Sequence, residues 1–187
     1  MVVLAGATSL LVGSAYQAQM PQYAADIPGA QGELGYSVLL TASAAGAVAG
    51  GFALEWSSWL RRPRVGPAIA MGIAWGGTIL VFAYTSSYAL ALVALFAGGL
   101  LNLAFSALAL TLVQLEAPLD RRGRVVGLFS MAQNGLRVGS GVSVGLLGTA
   151  IGIHSSLGWS ALATIAICAA LWLLVGRARV RAPRAVL

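Results

Sequence analysis

The sequence predicts an all-α membrane protein of six transmembrane helices, and three observations carry that prediction. The 187 residues are 59% hydrophobic and only 9% charged, with a mean hydropathy of +0.87, more apolar than a water-soluble chain of this length can hide. Apolar stretches of membrane-crossing length recur from end to end, separated by short polar links. The 11 basic residues, all arginine, fall almost wholly in every second link.

A hydrocarbon layer of about 30 Å accepts helices of about 20 apolar residues, because a helix bonds its own backbone polar groups. Such helices are expected at about 1–20, 34–54, 65–84, 88–113, 125–151 and 157–175, with a tail at 176–187. The first link holds Pro21, Asp26, Pro28 and Glu33. The second holds Glu55, Arg61, Arg62, Pro63 and Arg64. Thr85, Ser86 and Ser87 make an uncharged third link. Glu116, Pro118, Asp120, Arg121, Arg122 and Arg124 make the fourth, the most charged part of the chain. His154, Ser155 and Ser156 form the fifth, and the tail carries Arg177, Arg179, Arg181 and Arg184. Links this short leave no room for a separate soluble domain, so 1–187 is read as one domain.

Arginine placement sets the expected topology. The links after helices two, four and six hold 3, 3 and 4 arginines, and those after one, three and five hold none. Under the positive-inside rule both ends of the chain are then cytoplasmic. Three short arginine groups between apolar stretches mark loops and offer no continuous basic face, so nucleic acid is not an expected partner. The first stretch lacks the basic n-region of a signal peptide. Met1 leads straight into apolar sequence, which reads as an internal start. Cys168 is a single thiol in an apolar run and makes no internal disulfide.

Small residues recur at four-residue spacing: Ala42, Gly46 and Gly50 in helix two, Gly72 and Gly76 in helix three, and Gly135, Gly139 and Ser143 in helix five. Each set lies on one helical face, where small side chains let backbones approach closely in lipid.

The run Leu112-Val113-Gln114-Leu115-Glu116-Ala117-Pro118-Leu119-Asp120-Arg121-Arg122-Gly123-Arg124-Val125 resembles the loop between helices ten and eleven of major facilitator superfamily exporters. It is most similar to the branch of enterobactin-exporter-like and macrolide-efflux-like proteins (transmembrane secretion effectors), and Asn134-Gly135 in the next helix fits the same branch. The resemblance implies that the six helices are the C-terminal half, an inverted 3+3 repeat, of a twelve-helix transporter in a bacterial inner membrane. It implies alternating access, export of a small molecule (drug, siderophore or metabolite), a missing N-terminal six-helix half as partner beside the lipid bilayer, and a proton as coupling ion. No cofactor and no metal are expected. The link after helix two departs from the family: Gly51 and Glu55 stand where a Gly-x-x-x-Asp pattern begins, but Trp56, Ser57, Ser58 and Trp59 follow.

Arg137 is the one arginine inside an expected helix. About 12 residues at about 1.5 Å each place it about 18 Å deep, near the midplane, where a lipid-facing arginine costs about 2.5–3.5 kcal/mol. It is therefore expected to face protein or a water-filled cavity and to have an anionic partner, with Gln133 and Asn134 close to the same face. These three, with Asn102 in helix four and Tyr16, Gln17 and Gln19 in helix one, are the candidate substrate pathway. The resemblance further implies cytoplasmic ion pairs, or gating, among Glu55, Arg61, Arg62, Arg64, Glu116, Asp120, Arg121, Arg122 and Arg124. No acid lies inside an expected helix, so a titrating carrier is expected in the missing half or at His154.

Two other classes compete. An intramembrane serine protease would need a base near Ser140, but the only histidine, His154, lies about 14 residues or about 21 Å further on, at the end of that helix, so the chain is not expected to be an enzyme. A self-sufficient homodimer or a non-transporting membrane subunit is the alternative, though closing one cavity with two copies brings two Arg137 charges together.

The charge pattern makes a direct prediction about sidedness. In a Cys168→Ser background, Gly123→Cys is expected to react with an impermeant maleimide only from the cytoplasmic side, and Ser86→Cys only from the opposite side.

Overall fold

The computed structural model describes residues 2–13, 15–18, 20–29, 33–56 and 64–181. Every regular element among them is helical: α1 (Val2–Leu11), α2 (Ala15–Ala18), α3 (Met20–Asp26), α4 (Glu33–Trp56), α5 (Val65–Tyr84), α6 (Tyr88–Glu116), α7 (Arg122–Ser130), a π turn (Met131–Gly135), α8 (Leu136–Ile151) and α9 (Ile153–Arg181). Among the described residues four helical spans are long and apolar enough to cross a membrane: Leu34–Trp56, Val65–Tyr84, Tyr88–Glu116 and Ile153–Leu174. Helices of this length satisfy their own backbone groups, so they suit a solvent that offers no hydrogen bonds.

The first expected span is not one helix. α1 ends at Leu11, where the amides of Val12 and Gly13 both turn back to the Thr8 carbonyl at 3.1 and 3.4 Å. The Thr8 hydroxyl is itself folded back onto the carbonyls of Leu4 and Ala5 at 3.0 and 3.1 Å, a contact that competes with regular helix geometry. Gly13 is crowded as well, since a Cβ there would meet Ser140 Oγ at 2.8 Å and Arg137 Cγ at 2.9 Å. Pro21 cannot follow an uninterrupted helix through Gln17 because its ring would strike that carbonyl, but it is well tolerated in the first turn of a new helix such as α3.

The fifth stretch is a continuous helical path from Arg122 to Ile151, with the π turn inside it. It stops at Gly152, whose φ of +86° is a conformation that favours glycine. α9 then starts at once. His154, Ser155 and Ser156, read from sequence as a link, are in its opening turns, and its other end runs to Arg181, into the expected tail. α6 likewise extends to Glu116.

α6 packs on α4 and α5, α5 on α9, α9 on α8, and α8 on α1. The α4–α6 contact is the closest. Gly46 and Gly50 lie on the backbone of Phe96 and Leu100, and Gly99 lies on the backbone of Ser43. Gly72 and Gly76 of α5 face the side chains of Cys168 and Ile165 of α9. Gly139 meets Leu10 of α1, whereas a Cβ at Gly135 would have open space around it. At one end of the bundle Tyr16, Met20, Tyr23 and Ile27 fill the core with Leu39, Trp75, Ile79, Phe82, Leu95 and Leu157, so the broken first segment is built into the fold.

Side chains added at the α4–α6 seam should therefore push backbones apart. Gly46→Val is expected to cost about 1–3 kcal/mol by overpacking, measured by reversible unfolding in mixed micelles. Gly127→Ala, in α7 with open space around it, is expected to be neutral or to stabilise by about 0.5–1 kcal/mol.

Candidate functional site

Two irregularities of the helices meet at one place. The break at Val12–Gly13 puts α1 against the π turn and α8, and α2 against α8. Beside this junction lies a cavity of about 540 Å³, walled by α2, α4, α6, the π turn and the start of α8. Arg137, Asn134, Gln133, Asn102 and Gln17 all line it, with Tyr16, Ser43 and Ser106. The apolar part of the wall comes from Leu40, Ala44, Ala47, Gly99 and Leu103.

Gln133 and Asn134 lie four and three residues before Arg137, so the three share one side of the helix, and the π turn Met131–Gly135 holds the first two of them. Gln133 donates from Nε2 to Ser106 Oγ on α6 at 2.7 Å. That bond ties the π turn to the helix bearing Asn102. Ser106 lies one helical turn after Asn102, so the two hydroxyl and amide groups fall on one face of α6. On the other wall, Ser140 donates to the Arg137 carbonyl at 2.7 Å, and the Gln17 amide lies 3.4 Å from the Tyr16 hydroxyl. Arg137 is half-buried, with its Cγ close to Gly13. The lining thus offers one guanidinium, carboxamides from α2, α6 and the π turn, a phenol and two hydroxyls, which suits a small molecule with several hydrogen-bonding groups.

The described charged groups at the arginine-bearing end lie at the surface. Glu55 is exposed near the end of α4, Arg64 is exposed just before α5, and Glu116 is exposed at the end of α6. Asp120 and Arg121 are neighbours joined at 3.3 Å with both side chains 71% exposed, a pairing of little energetic weight. Arg122 and Arg124 are exposed in the first turn of α7, where the helix dipole disfavours positive charge. Arg61 and Arg62 lie outside the described residues, as do Gln19 and Arg184. Among the described residues no group of three or more histidines, cysteines or acids is arranged to hold a metal ion.

Sequence reasoning missed Ser43 and Ser106. Ser106 carried a usable signal, its i+4 relation to Asn102, but a serine in an apolar helix is common and quiet. Removing its hydroxyl tests the junction: Ser106→Ala is expected to destabilise the fold by about 0.5–1.5 kcal/mol, the range of interhelical hydrogen bonds in membranes, read from unfolding in mixed micelles.

No family model matches the chain, and neither a curated protein nor a solved structure matches it. What stands is an all-α, multi-pass membrane protein with a polar cavity at the meeting point of a broken helix and a π turn.

Proposed function

We infer that the chain is the C-terminal six-helix half of a secondary active transporter of major facilitator type, exporting a small molecule by alternating access. The single observation that carries this reading is the cavity: Gln17, Asn102, Gln133, Asn134 and Arg137 come from three separate parts of the chain and line one space. Polar side chains are expensive in the apolar layer and gather where substrate or water passes. Irregular backbone at that depth is tolerated where it is packed in protein or lines a cavity, and interrupted helices supply the binding sites of many transporters.

In the six-span arrangement, α1 and α2 together serve as the first span, with α3 at its outer end, and α7 to α8 serve as the fifth. The arginine-bearing ends are cytoplasmic. The likeness of residues 112–125 to an exporter loop supports the direction of transport, and an upstream half closes the cavity opposite Arg137. Arg137 brings positive charge to the lining, so compounds with an anionic or strongly accepting group are the favoured cargo class.

Two measurements test the reading. The purified 187-residue chain in liposomes is expected to show no flux, and addition of a six-helix segment encoded upstream is expected to restore it. In that complete transporter, Arg137→Gln is expected to lower efflux by at least about tenfold, the effect of about 1.4 kcal/mol lost at the site, with membrane levels unchanged. Undiminished efflux in the variant, or flux by the chain alone, would overturn the assignment.

A further inference from the structure

At the end of the bundle opposite Arg64 and Arg121, the chain's single histidine sits between three helices. His154 Nδ1 lies 2.7 Å from the carbonyl oxygen of Ala83 near the end of α5. Its Nε2 lies 3.1 Å from Asp26 Oδ2, at the end of α3. Tyr23, one turn before Asp26, meets the imidazole in a T-shaped contact with centroids 4.8 Å apart. The Tyr23 hydroxyl donates to the Ile153 carbonyl at 2.7 Å. The Asp26 carboxylate is more than half exposed and the imidazole about one-third exposed, so protons from the water reach the pair.

Counting donors fixes what this geometry requires. A carbonyl oxygen only accepts, so Nδ1 carries a hydrogen. On the other side Nε2 faces a carboxylate oxygen, which also only accepts when ionised. A hydrogen bond exists there only if one further proton sits on Nε2 or on the carboxyl group. Making both contacts therefore takes one proton more than a neutral imidazole beside a carboxylate holds.

We propose that His154 and Asp26 form a proton-binding site that straps the end of α3 to α5 and α9 while the proton is bound. The site is separate from the polar cavity and does not rest on the transport reading. Loss of the proton leaves one ring hydrogen for two acceptors, so either the Asp26 carboxylate or the Ala83 carbonyl is left facing a bare nitrogen. The strap thus has both ties at lower pH and loses one of them as pH rises. Among the described side chains the titratable and charged groups that face it are Asp26 and Tyr23 from α3 and Tyr84 from α5. Burial, and then the neighbouring Asp26 and Tyr84, push the Tyr23 hydroxyl well above its ordinary range, so it stays a neutral donor throughout the change.

Hydrogen exchange of residues 20–27 is followed by mass spectrometry on the full chain in lipid nanodiscs at about pH 5 and about pH 8.5, the acidic and basic arms of the comparison. After correction for intrinsic exchange, the segment is expected to open about tenfold more readily at the higher pH, as loss of one charge-assisted hydrogen bond implies. Asp26→Asn should abolish that dependence and keep the protection, because the introduced carboxamide can donate to a bare Nε2 without an extra proton. Exchange in α5 and α9 reports that the variant is folded. Nitrogen-15 spectra of the one histidine provide a second readout on the unmodified chain: at the lower pH both ring nitrogens should carry hydrogen, or Asp26 be protonated, and at the higher pH only one ring nitrogen should carry hydrogen beside an ionised Asp26. Exchange that is independent of pH in the unmodified chain, or an unaltered pH dependence in Asp26→Asn, would overturn the proposal.

Discussion

Every backbone amide and carbonyl within a hydrocarbon layer must find its partner in the protein, and the arrangement of this chain follows from that constraint. α4, α5, α6 and α9 meet it by running unbroken across the layer's thickness. The first and fifth stretches do not, and both depart from regular helix at the same place, where α1 and α2 lie against the π turn and α8. Grouping the irregularities lets each help cover the other. Gly13 fits against Arg137 and Ser140, and the Gln133 to Ser106 bond fixes the π turn to α6. The polar cavity is the space left beside this junction.

Close helix contact supplies the rigid frame around it. Lipid gives helices no hydrophobic reason to associate, so packing contacts must do that job. Gly46, Gly50 and Gly99 bring α4 and α6 together backbone to backbone, and these two helices carry Ser43, Asn102 and Ser106 to the cavity wall. A frame held this tightly keeps the polar side chains of α6 at fixed height while the segments around Gly13 and the π turn provide shape.

Much of the helical content was legible because apolar runs bounded by proline, arginine or short polar links are strong signals. The stretch 65–84 coincides with α5, bracketed by Arg64 and Thr85. The break in the first stretch was not legible: Gly13 and Pro21 are both visible, but glycine and proline also occur inside membrane helices, and only the crowding by Ser140 and Arg137 singles out Gly13. The cavity residues were partly legible. Arg137 declares itself by the cost of placing its charge in lipid, and Gln133 and Asn134 by proximity. Their gathering with Gln17 and Asn102 depends on how α2, α6 and the fifth stretch pack together, which no residue pattern announces. The Asp26–His154 pair was hidden for a different reason, since 128 residues separate its members and each alone resembles an ordinary solvated loop group.

The π turn at Met131–Gly135 also has a genealogical meaning. A helix that widens for one turn accommodates one residue more than its length otherwise calls for, and every residue beyond that point keeps its facing despite the addition. Deleting one residue there would let the helix close to regular geometry, whereas deleting one anywhere else would rotate the rest by about 100°. Relatives of this chain that differ by a single residue in this helix are therefore expected to carry the difference between positions 131 and 135, so an alignment gap at that spot marks a change of local winding and leaves the order of helices intact.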